Sequence, residues 1–541
     1  MGNRPSDNSE NEPPSRNLGL SGRTDIRQIV AAGARKERLK ERLWKPAATA
    51  RRSARSYAEL HAASAFSFLE GASLPEDLIA QAADLELPAV ALVDRNGVYG
   101  APRFYKAARA AGVKALVGAE VSLSGGGGEG ESGRKTGSPP RPLTPSPPPQ
   151  LPRLTVLVEN RTGYKNLCRL ITAGALGKPK GETSVTLDQI GEYSEGLHCT
   201  TGGEEGPIPR ALESDGLEAA AEMLERLAHV FPGRVHVELQ RHCVAREEHR
   251  NQALLDLARR LRLPLLATNG VRYARPKDKE LHDIFTAIRN HTTLDRAGRL
   301  LEEQRERHFK GAVAMETLFA DLPAALDGAW ELGQKLDFTL ADLGYRFPEY
   351  PLPPGETAAS FLRQVTWNGA RSRFRPMTAR AQAQLAKELA MIEKLDLAGY
   401  FLIVWDIVRF CLENKILVQG RGSAANSAVC YALSITAVDP VKMDLLFERF
   451  LSEERGEWPD IDLDLPSGDQ RERVIQHVYE KYGPYGAGMT ANVITYRDRS
   501  AARETGKALG YSPEQVDRLS KHLSAWNFGE IREPIVELSK E

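Results

Sequence analysis

The sequence predicts an α/β protein of more than one domain, with a parallel sheet or barrel first and a mostly helical stretch after it. Three observations carry that prediction. Apolar runs of strand length alternate with amphipathic runs of helix length from Tyr57 to Thr268. A chain of 541 residues, at about 150 residues per domain, holds roughly two to five domains. Apolar residues make up 41% of the chain, enough for several cores, and no apolar run of about 18 residues is available to span a bilayer.

The 72 Lys+Arg balance the 72 Asp+Glu, so net charge selects neither a nucleic-acid binder nor a membrane-surface protein, and any such partner has to be argued from local sites. Cys168, Cys199, Cys243, Cys411 and Cys430 are scattered, odd in number and form no C-x-x-C pair. That excludes a disulfide framework and a structural zinc, and suits a reducing cytoplasm.

Taken in order, the first 55 or so residues are polar and Pro/Ser-rich, then basic, and read as a disordered leader. A strand follows at Tyr57 to His61, a helix over Pro75 to Leu85, a buried strand at Ala89 to Val93, a helix near Ala101 to Ala111 and a strand at Ala115 to Val121. Residues 124–152, Gly-rich and then Pro-rich, cannot pack a core and read as an inserted surface loop. The alternation resumes with a strand from Leu154, a helix over Leu217 to Val230, a strand at Val235 to Leu239, a helix over His249 to Leu261 and a strand at Leu265 to Thr268. This places the end of the first domain near Asn290. Pro348 to Gly355 reads as a linker, with helices on to Leu395.

Two segments carry chemistry. Ile416 to Val418 reads as a buried strand, Gly420-Arg421-Gly422-Ser423 as a tight turn and Ala424 to Leu433 as a helix. Glycines let a backbone approach an anion, a helix N-terminus offers unpaired N–H groups, and Arg421 and Ser423 add donors, so this turn suits a phosphate. Gly420, Gly422 and Ala425 also satisfy G-x-G-x-x-G/A, with Asp439 following Gly420 by 19 residues, so a dinucleotide site competes with that reading. A strand-to-helix turn without a ligand is the third possibility. No Walker phosphate loop occurs.

In Pro459-Asp460-Ile461-Asp462-Leu463-Asp464-Leu465 acids and aliphatics alternate, so a strand here places Asp460, Asp462 and Asp464 on one face. Like charges about 7 Å apart on an anchored strand call for a divalent cation, and Mg²⁺ suits one or two carboxylates plus substrate phosphates. A calcium EF-hand fails because Leu465 stands where the loop needs Gly and Arg471 where it needs Glu. An exposed, solvated strand edge is the plain alternative. After it, Arg471 to Tyr482 forms an amphipathic helix. A phosphate-holding turn about 40 residues before a metal-binding strand is what nucleotidyl transfer needs.

QGRGSAANSAVCYALSITAVDP, LLFERFLSEER and PDIDLDL, in that order, resemble the palm of the bacterial C-family DNA polymerases, the DNA polymerase III alpha-subunit family. MTANVITYRDRSAARETGKALG is similar to the error-prone, damage-associated branch. SYAELHAASAFSFLEGAS, ALVDRNGVYG, VGAEV, VELQRH and LATNGVRY resemble the PHP (polymerase and histidinol phosphatase) domain of that family. The resemblance covers roughly residues 56 to 541.

It implies a PHP-type distorted (β/α) barrel over 56–290, a polymerase-beta-like nucleotidyltransferase palm over 291–490 and the start of a helical thumb over 491–541. Asp460 and Asp462 match the two catalytic, Mg²⁺-binding aspartates, with Asp464 a flanking acid. Gly420, Arg421, Gly422 and Ser423 match the turn facing the incoming nucleotide. The resemblance also implies primer-template DNA, deoxynucleoside triphosphates, a sliding clamp and damage-response proteins as partners, and a third catalytic aspartate beyond residue 541. The chain is accordingly expected to be an inactive fragment of an error-prone, translesion DNA polymerase.

The PHP segment departs from the pattern of metal-bearing members. Their H-x-H reads His61-Ala62-Ala63 here, their D-H pair reads Asp94-Arg95, and their late D-x-H reads Gly270-Val271-Arg272. His61 and Glu120 remain, with Glu70 and His242 as further candidates. So many lost imidazoles and carboxylates cannot hold a multi-metal centre, which implies a scaffold without phosphoesterase or proofreading activity. A PHP-type phosphoesterase and a replicative alpha subunit stand as the alternatives.

Overall fold

A computed structural model of the chain describes residues 55–124, 151–179, 181–341, 343, 348–452, 459–490 and 492–523. The expected leader, nearly all of the inserted loop and the chain after residue 523 lie outside them. The chain divides into two units, one comprising Met1–Asp342 with Val493–Glu541 and the other Leu343–Asn492.

In the first unit the strands are β1 (Glu59–Ala62), β2 (Ala89–Arg95), β3 (Lys114–Ser122), β4 (Arg153–Val158), β5 (Leu197–Thr200), β6 (Val235–Leu239) and β7 (Leu265–Ala267), paired in that order. The sheet curls toward closure. Ala62 bridges Val271, just after β7, with Ala63 N–H donating to Val271 O at 2.9 Å and Val271 N–H to His61 O at 2.8 Å. Helices α1 (Pro75–Asp84), α2 (Ala101–Ala111), α3 (Arg161–Ala175), α4 (Leu217–Val230) and α5 (Ala245–Leu261) separate the strands.

One strand differs from a purely parallel expectation, since β4 runs antiparallel to both β3 and β5. An antiparallel neighbour needs no crossover helix. The low-complexity insertion therefore occupies a hairpin connection. The unit also continues beyond Asn290. Phe309, Met315, Phe319, Leu326, Leu332 and Leu336 are buried in the same core as the strands, and α6 (Lys279–Arg289) and α7 (Pro323–Lys335) belong to it, so residues 291–342 are not part of a separate palm.

The second unit is mainly helical. Leu362 on α8 (Ala358–Arg373), Leu385, Leu389 and Ile392 on α9 (Ala379–Lys394) and Phe401, Leu402 and Val408 on α10 (Ala398–Glu413) form its core. Thr357 and Thr378 cap α8 and α9 by accepting from Ser360 and Ala381 N–H. Its only sheet among the described residues pairs β8 (Gln419–Arg421) with β9 (Asp462–Asp464), on either side of the short α11 (Ala428–Ala432). Helix α12 (Asp469–Gly486) follows, kinked at Gly483. It is pinned to α10 by Asp406, buried, whose carboxylate accepts from Lys481 Nζ at 2.6 Å and Arg409 at 3.0 Å.

Two elements differ from the sequence reading. The strand expected at Ile416 to Val418 forms three residues later, with Leu417 at 80% exposure. The helix expected over Ala424 to Leu433 splits into a 3₁₀ turn (Gly422–Asn426) and α11, because the Ser427 hydroxyl accepts from Cys430 N–H and starts a new helix. Helices α13 (Asp498–Ala508) and α14 (Pro513–Leu523) pack together, and α13 lies on α6 in the first unit. The five cysteines are free thiols, and no helix among the described residues is long and apolar enough to cross a membrane.

Candidate functional site

The two chemistry-bearing segments of the second unit meet as one antiparallel ribbon. The register sets Gln419 opposite Asp464, Gly420 opposite Leu463 and Arg421 opposite Asp462. Burial follows the predicted period of two: Asp460, Asp462 and Asp464 are exposed while Ile461, Leu463 and Leu465 are half-buried. Ile461 N–H donates to Tyr400 Oη at 2.9 Å, which fastens the strand to α10. Burial pushes the Tyr400 phenol up to about 12, so it stays a neutral hydroxyl.

Arg421 lies across the acidic face. Its Nε is 3.0 Å from Asp464 Oδ1 and its guanidinium 3.5 Å from Asp462 Oδ2. Asp460 makes no ion pair among the described residues. All three acids are exposed and Asp460 is unpaired among the described residues, so the donor set stays accessible to a positive guest. Nowhere among the described residues do three or more His, Cys, Asp or Glu converge as a metal cage.

The turn itself is shaped by two glycines. A Cβ on Gly420 would come within 2.5 Å of Ile435 O, so its bareness serves a close backbone crossing. Gly422 has φ +68°, the left-handed region that favours glycine, with open space around it. The helix after the turn does not offer the free N-terminus expected of it. The buried carboxylate of Glu388 accepts from Ser427 Oγ at 2.7 Å, Ala428 N–H at 2.9 Å and Val429 N–H at 3.0 Å. The Glu388 side chain thus already fills the N-terminus of α11. Asp439, the acid of the dinucleotide reading, accepts from Val441 and Lys442 N–H in its own turn. Both findings remove the support for a dinucleotide site, and a phosphate could meet only Arg421, Gly422, Ser423 and the 3₁₀ turn.

In the first unit the expected metal positions are filled by ion pairs. Arg272 grips Glu120 with both terminal nitrogens at 3.2 Å, and Arg153, only 1% exposed, grips Glu70 at 2.6 and 2.8 Å. Glu205 joins them, 2.8 Å from Arg153 and 3.3 Å from Arg272. Arg95 and Arg289 add contacts to Glu70 at 2.8 and 3.4 Å. His61 lies between Glu238 (2.8 Å) and Glu120 (3.0 Å). Burial alone would lower its pKa, but the two carboxylates outweigh that and hold it up at about 10, so it is a cation as well. The same pair holds Glu238 down at about 2 against its burial.

The remaining expected positions are structural. Ala63 is buried at the barrel closure, and Gly270, with φ +52°, abuts the Gln240 side chain. Asp94 accepts from Ser64 N–H at 2.7 Å and Ser67 Oγ at 2.8 Å. His242 stands apart, with its ring nitrogens on Glu247 Oε1 at 2.7 Å and Asn269 O at 2.8 Å. These residues do not fit a multi-metal centre, because guanidinium groups hold the carboxylates that metals would need. Arg153, Glu205, Glu238 and Arg289 were missed as a group in the sequence, where they are far apart; only the inwardly placed charge in the strand VELQRH hinted at one of them.

Comparison with known proteins finds two matched segments. Residues 59–242 match the model of the PHP domain and residues 360–539 that of the bacterial DNA polymerase III alpha NTPase domain. The chain is 46% identical over 493 residues to an error-prone DNA polymerase of Mycolicibacterium paratuberculosis, covering 90% of this chain and 44% of that protein. The chain carries a PHP domain and a DNA polymerase III alpha domain. Error-prone DNA polymerases of Mycobacterium bovis and Nocardia farcinica are 45% and 42% identical, each over 87% of this chain and over 42% and 44% of their own lengths. The chain thus spans less than half the length of the curated relatives it matches. Among solved structures, an amidohydrolase from Chromobacterium violaceum is 15% identical with a TM-score of 0.23, covering 40% of this chain and 87% of that one.

Proposed function

We propose that this chain carries the nucleotide-facing part of an error-prone DNA polymerase active site, acting on primer-template DNA and deoxynucleoside triphosphates in the bacterial cytoplasm. The observation that carries the proposal is the β8–β9 register, which sets Arg421 of the nucleotide-facing turn against Asp462 of the acidic strand. Asp460 and Asp462 are the proposed metal-binding catalytic residues, Asp464 the flanking acid, and Arg421, Gly422 and Ser423 the triphosphate contacts. Gly420 holds the turn against Ile435.

Two Mg²⁺ ions on these acids would supply activation of a primer 3′-hydroxyl and stabilisation of the leaving pyrophosphate. The chain's own contribution is positional. The half-buried aliphatic face and Tyr400 fix the strand, Arg421 offers a planar two-pronged donor to phosphate oxygens, and the exposed carboxylates keep an open face for the substrate. A sliding clamp and damage-response proteins are the partners proposed for the polymerase. The PHP unit is proposed as a scaffold, since its carboxylates are engaged by arginines, and that occupation weighs against a phosphoesterase.

Primer extension by the longest polypeptide of the reading frame tests the assignment. Replacing Asp460 and Asp462 by Ala should abolish extension with an unchanged circular dichroism spectrum. Undiminished extension by that double variant would sink it. A template carrying a lesion separates error-prone from replicative duty.

A further inference from the structure

We infer that Arg421 is a resident counter-cation of the acidic strand, which holds Asp462 and Asp464 while no metal is bound and must release them before a divalent cation can settle. The inference rests on the assignment of Asp460 and Asp462 as metal-binding acids. The register fixes Arg421 opposite Asp462, and its side chain reaches past that residue to Asp464, so one guanidinium contacts two carboxylates and offsets one of their two charges. Asp460 is left open as the first landing point for a cation.

The contacts are exposed on both sides, Arg421 at 62% and the two aspartates at 53% and 61%, so the hold is weak and reversible. A triphosphate gives the guanidinium a more highly charged bidentate partner than two separate carboxylates do. Drawing Arg421 onto the nucleotide frees Asp462 for metal. Nucleotide and metal occupancy are thereby coupled through one side chain, and the coupling works in both directions. Without nucleotide, the same side chain keeps the acids from collecting cations that would lead to no reaction.

The test is a Mn²⁺ titration of the whole 541-residue chain, followed by electron paramagnetic resonance, for the wild type, R421Q and R421K, each with and without D462N. Removing an exposed pair of contacts worth up to about 1 kcal/mol predicts Mn²⁺ binding to R421Q about 3- to 5-fold tighter than to wild type. D462N should erase that gain, while R421K, which keeps the charge, should stay near wild type. Equal or weaker Mn²⁺ binding by R421Q, with binding still lost in D462N, would overturn the counter-cation role and leave the metal assignment standing. Absence of any D462N-sensitive Mn²⁺ binding, in R421Q as in wild type, would overturn both.

Discussion

His61 is buried between two carboxylates, so its two ring nitrogens tie Glu120 on one strand to Glu238 on another. Replacing it with Gln would leave Glu120 and Glu238 buried without their shared cation, a loss of about 3–5 kcal/mol. Arg272→Met is expected to cost the same order, because Glu120 is then held only by His61 and the more distant Arg153. Urea denaturation of both variants measures these losses, and wild-type midpoints would show that the network is not structural. Glu388 plays the same part in the second unit, where Glu388→Ala removes the cap of α11 and should cost about 1–3 kcal/mol in the same assay. At this scale the sequence was legible only through its departures. Ala63, Arg95, Gly270 and Arg272 stood where metal ligands were expected, whereas Arg153 and Glu388 carried no signal, since their partners lie 83 and 40 residues away.

The ribbon depends on a backbone crossing. A side chain at Gly420 meets Ile435 O and cannot be absorbed by rotamer change, so Gly420→Val should shift β8 and lose the Arg421 register at a cost of about 1–3 kcal/mol. Tightened Mn²⁺ binding, in the direction of R421Q, with helical circular dichroism retained is the expected result. Unchanged Mn²⁺ binding would mean that the register is not needed. The long amphipathic elements were read correctly, as with Ala101 to Ala111 and Leu217 to Val230, because their hydrophobic period extends over several turns. β8 and α11 were misplaced because three- to five-residue elements have no period to read, and their bounds are set by Ile435, Ser427 and Glu388. The acidic strand was legible despite its brevity, since alternation of charge and aliphatic survives over seven residues.

For the molecule as a whole, a barrel built around ion pairs should respond to pH and not to chelators. The Glu238 carboxyl, held at about 2 against an ordinary 4.5, contributes stability that is present above 4.5 and lost as pH falls toward 2. His61, held at about 10 against an ordinary 6.5, contributes stability that is full below 6.5 and lost as pH rises through 10. Glu59, raised to about 7 by burial, works the other way and costs stability as pH rises from 4.5 to 7, which moves the maximum to the acid end of that range. Thermal unfolding of the first unit should therefore be least favourable near pH 4.5 to 5, become easier on both sides, and keep its midpoint in EDTA. A midpoint lowered by chelation would show that a metal, not Arg153 and Arg272, holds the barrel together. Which fold class the chain adopts could be read from alternation and composition, but the charge balance that stabilises it could not, because equal counts of acid and base say nothing about which pairs meet.

The acidic face of β9, opposite the Gly-Arg-Gly-Ser turn, is proposed above as a divalent-metal site. Fe²⁺ exchanged into the chain and treated with ascorbate and peroxide cuts the backbone beside bound metal, so mapping the cut sites by mass spectrometry tests it directly. Cuts clustered within residues 419–423 and 459–465, and absent from the Asp460→Asn, Asp462→Asn double variant, are the predicted result; cuts elsewhere, or cuts at the ribbon that persist in the double variant, would contradict it.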